Sequence, residues 1–218
     1  MSLKFAKVAS LAVITATAGF SLWARTLLPD APIATHFDAA GHVNGTMPRD
    51  TALAFMPLVA LGIAVFMLWI LPAMMPKKAS LERSAEAYGA SVIVVMLFLA
   101  LVHVGLIALA MHYPIDLKQA ALVGAGVVFI VIGNYLPKTR YNFVIGIRTP
   151  WTLSNEEVWD RTHRLAGPLH MLLGALILAD AWLVPFPWSY AVMAAGAGGV
   201  TLACVVYAWL VSRKLNPA

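Results

Sequence analysis

The residues of this chain best suited to chemistry lie close together: Arg140, Asn142, Arg148, Thr149, Arg161, His163 and Arg164. Guanidinium forks bind carboxylates and phosphates in bidentate geometry. The cluster therefore reads either as a site for an anionic group or as a basic surface against lipid phosphates. The lipid-facing reading suits Arg161 and Lys138. Arg140, Arg148, His163 and Arg164 are the candidates for a shared structural or binding site. A histidine beside arginines is expected to have a lowered pKa and so to act as a base or a neutral donor. No nucleophile, carboxylate pair or glycine-rich phosphate loop accompanies it. Binding is thus better supported than catalysis, and no catalytic residue or cofactor is assigned.

Flanking residues indicate what must position this cluster. Gly133-Asn134-Tyr135-Leu136-Pro137 closes a helix, because proline disfavours helical backbone in the residue before it. Ser154 followed by Glu157 fits a capping box and predicts a helix start. On that helix Trp159, His163, Ala166 and His170 fall on one stripe, and Asp160 can pair with Arg164 four residues on. The helix is expected to lie near the membrane interface and to feed a span through Gly167-Pro168.

A second stretch, Pro29–Thr51, is too long to be a mere connector. Pro29 and Pro32 favour extended backbone, while Asp38, Gly41, Asn44 and Gly45 favour turns. His36, Asp38 and His42 are residue types that bind metals, but an ordered cap with His36 and Asp38 bonded to backbone is the favoured reading, and no metal is assigned. Cys204 is the only cysteine, so neither an intramolecular disulfide nor a cysteine-based metal site is available.

Composition places both stretches in a membrane protein. Of 218 residues 61% are hydrophobic and only 11% charged, where soluble domains carry about a quarter charged residues. The mean hydropathy is +0.81. Six apolar runs approach the roughly 20 residues that a span requires: Phe5–Leu28, Ala52–Met75, Ala87–Met111, Ile115–Tyr135, Leu165–Val184 and Trp188–Val211. The fourth is the least secure, with Asp116 and Lys118 at its start. The basic start of the chain and Ala16-Thr17-Ala18 imitate a cleavable signal, but a retained helix is expected because later segments also insert. The predicted fold is all-α, a polytopic bundle of six transmembrane helices.

Orientation follows the basic flanks. Lys4, Lys7, Lys77, Lys78, Arg83, Lys138, Arg140, Arg148, Arg161, Arg164, Arg213 and Lys214 share one side, leaving Arg25, Arg49 and Lys118 opposite. Both termini are therefore expected in the cytoplasm, in a bacterial inner membrane with lipid as a partner. The net charge of +5 is a topology signal and calls for no direct nucleic-acid partner. Ala195, Gly199 and Ala203 form a small-residue ridge expected to pack within the chain. Pro57, Pro72 and Pro168 are expected to kink their helices. Among ionisable residues in the spans, His103 lies in the core, His170 near the cytoplasmic end and Asp180 near the external end; such residues suggest function.

Asn134 through Pro137, Arg140-Tyr141-Asn142, the run Gly146-Ile147-Arg148-Thr149-Pro150-Trp151-Thr152-Leu153, Trp159 and His163 through Gly167 together resemble the signature of the SdpI-type immunity proteins. Leu28 through Gly41 is similar to a domain of unknown function that often precedes it. The resemblance divides the chain into residues 1–76, a two-helix unit with external loop 29–51, and residues 77–218, a four-helix unit with cytoplasmic signature loop 134–167. It implies protection against a secreted antimicrobial peptide toxin, with signalling to a cytoplasmic repressor. The motif positions carried over are Asn134, Pro137, Arg140, Asn142, Gly146, Arg148, Thr149, Pro150, Trp159, His163, Arg164 and Gly167. An alternative is a membrane enzyme or transporter handling an anionic amphiphile at the same loop.

Overall fold

The structure, a computed structural model, describes residues 2–38, 41–74, 81–185 and 188–215. Six helices are long and apolar enough to cross a membrane. They are α1 (Leu3–Leu27), α2 (Arg49–Ala73), α3 (Ala85–Ala110), α4 (Leu117–Tyr135), α6 (Glu156–Leu183) and α7 (Trp188–Leu215). A short α5 (Pro150–Ser154) precedes α6. The basic pair Lys77-Lys78 and the expected end of the second span at Met75 lie outside the described residues.

Local chemistry explains the helix ends. Ser2 Oγ accepts from Phe5 N at the start of α1. Asp116, expected to weaken the fourth span, instead caps it: its carboxylate accepts from Lys118 N and Gln119 N, each at 3.0 Å, using donors the first turn leaves free. In α2 a π-helical turn, Phe66–Ile70, immediately precedes Pro72, as expected where a proline removes a donor from the ladder.

Neighbouring spans pack in the order α2, α1, α3, α4, α6, α7. One apolar core joins Ala6 and Ile14 of α1, Ala60, Ala64 and Leu68 of α2, and Tyr88, Val92 and Met96 of α3, with Leu81 and Val144. Leu3 packs there too, and Leu215 packs beside Val158, Trp151 and Val211. Both described ends of the chain therefore lie at the face formed by residues 139–155.

The closest approach is between α4 and α6. A Cβ on Gly133 would stand 2.7 Å from Met171 N and 2.8 Å from the Gly167 carbonyl, and one on Gly174 only 2.5 Å from the Gly126 carbonyl. Glycines seven residues apart on each helix thus form an antiparallel seam, with Gly126 against Gly174 and Gly133 against Gly167. Small residues let backbones meet where lipid gives no hydrophobic incentive to associate.

The structure refines several expectations. Within the stretch expected to form an ordered cap, β1 (Ile33–Phe37) and β2 (Val43–Met47) form an antiparallel hairpin that the sequence reading did not name. Ile33 anchors it among Ala24, Leu28, Leu53 and Ile107. The helix expected to feed a span through Gly167-Pro168 and the span itself are one element: α6 runs from Glu156 to Leu183, and the glycine seam lies along it. The ridge Ala195, Gly199 and Ala203 is exposed, with nothing within 4 Å of a Cβ at Gly199. Packing of α7 uses another face, through Cys204, Ala208 and Val211.

Candidate functional site

The loop between α4 and α6 is built around two buried side chains, Asn142 and His163. Asn142 lies in a turn that its amide organises completely. Its Oδ1 accepts from Val144 N at 2.7 Å and Ile145 N at 2.8 Å. Its Nδ2 donates to the Arg140 carbonyl at 2.7 Å and the Ile145 carbonyl at 3.2 Å. Ser84, just before α3, receives Arg140 N at 2.9 Å and donates back to its carbonyl at 3.2 Å. The loop is thereby stitched to the central helix.

His163 closes the other half. Its Nε2 accepts from Ile147 N at 2.9 Å, so that nitrogen carries no proton, and Nδ1 donates to the Trp159 carbonyl at 2.8 Å. Those two bonds fix the neutral Nδ1–H tautomer and leave no ring nitrogen for general-base work. The ring stacks on Trp159 at 4.1 Å. Trp159 is fully buried and donates from Nε1 to the Thr139 carbonyl at 3.1 Å. Tyr141 packs edge-on against Trp159, with its hydroxyl bonded to the Leu153 carbonyl at 2.8 Å. Gly146, at φ 120°, brings its bare backbone against the His163–Trp159 stack.

Thr149 caps α5. Its hydroxyl accepts from Thr152 N at 3.2 Å and Thr152 Oγ1 accepts from Thr149 N at 2.8 Å, a reciprocal box. Pro150 occupies the first turn, where no amide donor is required. The expected box at Ser154 and Glu157 is not formed. Asn155 is the cap, accepting from Glu157 N at 2.8 Å and Val158 N at 3.3 Å, while Ser154 Oγ donates to the Trp151 carbonyl. Glu157 is thus free to pair with Arg161 at 2.6 Å. No ion pair joins Asp160 to Arg164 among the described residues.

The structure divides the expected arginine–histidine cluster. Asn142, Thr149, Trp159 and His163 come together as a packed interior, with Gly146 and Gly167 at close approaches. Arg140, Arg148 and Arg164 are exposed on the outside, and none has a carboxylate partner among the described residues. Arg148 donates from Nη1 to the Phe143 carbonyl at 2.8 Å. Asn134 and Pro137 are exposed at the end of α4, where Pro137 packs on Gly167. Sequence reasoning missed Ser84, which reaches the loop from a distant segment without any local signal. It also missed Thr152, whose spacing from Thr149 was a legible capping pattern.

At the opposite face Pro29 and Pro32 are exposed beside β1. His36 Nδ1 bonds Asn44 Oδ1 at 2.5 Å, and Asp38 accepts from His42 N at 2.8 Å and lies 3.2 Å from its ring. His36 and His42 therefore turn to different partners. Gly41, at φ 89°, forms the turn between the strands.

Residues 138–211, the loop and the helices around it, match the SdpI/YfhL protein family. Over those residues the chain is similar to that family. Residues 12–61, which take in α1, the hairpin and the start of α2, match a domain of unknown function, DUF1648. Over 131 residues the chain is 28% identical to the protein named Immunity protein SdpI of Bacillus subtilis (strain 168), covering 59% of this chain and 63% of that relative. The SdpI-like match therefore spans less than two thirds of the relative's length. No solved structure matches the chain. With six spans, it is a multi-pass bacterial membrane protein.

Asn142→Ala tests whether the buried interior holds the loop. It strands the Val144 and Ile145 amides and two carbonyls, and buried orphans cost about 1–3 kcal/mol each. We expect a destabilised loop, read as faster hydrogen exchange at Val144 and Ile145, with exchange in the α4–α6 seam unchanged.

Proposed function

We propose that this protein is an inner-membrane immunity factor that protects its cell from a secreted antimicrobial peptide by binding it rather than turning it over. The observation that carries this reading is the likeness to the Bacillus subtilis immunity protein, in a stretch that includes the ordered loop. The excess of lysine and arginine on the loop side supports placing that loop and both termini in the cytoplasm. The hairpin then faces the compartment from which a secreted peptide arrives. The loop faces a cytoplasmic repressor, for which Arg140, Arg148 and Arg164 offer guanidinium groups that have no carboxylate partner among the described residues. Central helix α3 touches both faces, through Ser84 at the loop and through β1 at the hairpin. That continuity supports signalling as part of the reading.

Deleting the gene is expected to sensitise cells to a membrane-damaging peptide. Arg148→Ala should abolish rescue while leaving the protein level unchanged, because its guanidinium lies on the outside of a packed loop. Unaltered sensitivity across a panel of such peptides would sink the proposal.

A second reading rests on the same exposed arginines. Three guanidinium groups without carboxylate partners among the described residues suit the phosphate of an anionic amphiphile at the headgroup level. Native mass spectrometry should then find a phospholipid or phosphorylated metabolite retained by the wild type and lost from Arg140→Ala/Arg164→Ala.

A further inference from the structure

Beneath the hairpin the helices part around a cavity of about 630 Å³, within the range of small-ligand sites. Met56 of α2, Leu106 and Leu109 of α3, and Ala121 and Leu122 of α4 give it an apolar wall. β1, which packs on α2 and α3, borders it from above.

Which part of β1 meets the cavity decides what the cavity can hold. Successive side chains of a strand point to opposite faces, so a cavity against one face is lined by alternate residues. Here Thr35, His36 and Phe37 line it consecutively. The cavity therefore borders the main chain of the strand. β1 belongs to a sheet of two strands and pairs with β2 alone, so its other edge carries amide and carbonyl groups outside the hairpin ladder. The register also slips at this point. Ala34 faces Thr46 and His36 faces Gly45, which leaves Thr35 with no partner on β2. A bulge of this kind leaves the main chain of the extra residue unpaired in the ladder. Thr35 and Phe37 are half-buried, and main-chain groups drawn away from water cost free energy until they find a partner.

We propose that an apolar peptide segment docks here in extended form, adding its main chain to the outer edge of β1 and placing a bulky side chain in the cavity. The strand edge supplies donors and acceptors at strand spacing, which another peptide main chain matches along its length. The wall supplies the apolar surface that anchors a side chain. Asp116 and Lys118, two residues apart, both line the cavity, so it presents no field of one sign to a charged lipid head group. An acyl chain would cover the wall and leave the strand edge unmet. This assignment rests on the immunity reading for the source of the peptide, and it names the face that holds it.

The test uses the full chain in detergent, with three probes: acetyl-Leu-Val-Leu-amide, the same peptide N-methylated at every residue, and decanol. In titration calorimetry the first peptide should bind at least tenfold more tightly than the second, which keeps the side chains and loses the donors. Decanol should bind no better than the N-methylated peptide. Amide hydrogen exchange at Thr35 through Phe37 should slow with the first peptide alone. Leu106→Phe and Ala121→Phe fill the cavity from different helices, and each variant that keeps the wild-type melting profile should lose the first peptide. Equal affinity for the two peptides overturns the proposal, as does unchanged exchange along β1 or full binding by both filled variants. Tighter binding of decanol than of either peptide overturns it in favour of an acyl chain. In cells the two readings separate. If the filled variants restore peptide resistance as well as the wild type does, the docking assignment fails and the immunity reading stands. If no peptide distinguishes the deletion strain while acetyl-Leu-Val-Leu-amide still protects β1 from exchange, the immunity reading fails and the docking site stands.

Discussion

Gly146→Ala is expected to unmake the loop while leaving the bundle inserted. Two independent constraints act at this position. Its φ of 120° belongs to backbone that side chains rarely adopt, and such strain costs on the order of 1–3 kcal/mol. A Cβ there would also stand 2.3 Å from His163 Nε2 and 3.0 Å from Trp159 Cη2. Neither ring can retreat, since His163 is held by Ile147 N and the Trp159 carbonyl, and Trp159 by the Thr139 carbonyl. If His163 moves, the Ile147 amide loses its acceptor, which adds about 1–3 kcal/mol for a buried orphan. The measurement is limited trypsin digestion of the purified protein. Cleavage after Arg140 and Arg148 should accelerate by an order of magnitude, while the spans keep their helical circular dichroism. Wild-type cleavage rates in the variant would show that the close approach at Gly146 does not hold the loop.

This loop shows how far residue types and spacing carry. The stripe Trp159, His163, Ala166 and His170 was legible because a helical period of 3.6 puts those positions on one face; the first three are buried and His170 half-buried. The six spans were legible because each is a long apolar run; their ends moved by up to four residues, except that the fifth begins at Glu156 rather than Leu165. What spacing could not reveal was direction. Arg140, Arg148 and Arg164 are close in sequence to His163, yet they are exposed while it is buried. Asn142 and Thr149 turn the chain around Arg140 and Arg148, and Arg164, next to His163 on α6, falls on a different face of the helix. The cap at Asn155 rather than Ser154 turned on the same fact: α5 extends through Ser154 and fixes its backbone before α6 begins. The hairpin was hidden because its strands are five residues each, interrupted by glycine and preceded by prolines, with little alternation of polar and apolar residues. Continuity of α6 through Pro168 was hidden for another reason. Proline disfavours a helix interior, and the close approaches to α4 at Gly167 and Gly174, on either side of that point, have no signal in the local sequence.

That packing sets the largest effect on stability, and it is visible in a contrast between two glycines of the same bundle. Gly174→Ala and Gly199→Ala make the same chemical change in helix interiors, and intrinsic propensity favours both by about 1 kcal/mol. At Gly199 nothing lies within 4 Å of the added carbon, so the gain should appear as a neutral or slightly raised melting temperature. At Gly174 the added carbon meets the Gly126 carbonyl at 2.5 Å and Ile130 N at 2.8 Å. Those are backbone atoms of the facing helix and cannot rotate aside as a side chain would. The helices must separate, and overpacking of this kind costs typically about 1–3 kcal/mol, which exceeds the propensity gain. Separation would also open Gly133 from Gly167, seven residues along the same seam, and release Pro137 from Gly167. Gly174→Ala should therefore melt several degrees below the wild type in detergent, and Gly174→Val should fail to give a monodisperse protein. Equal melting temperatures for Gly174→Ala and Gly199→Ala would mean that α4 and α6 do not meet at backbone distance, and the position of the loop that joins them would lose its physical basis.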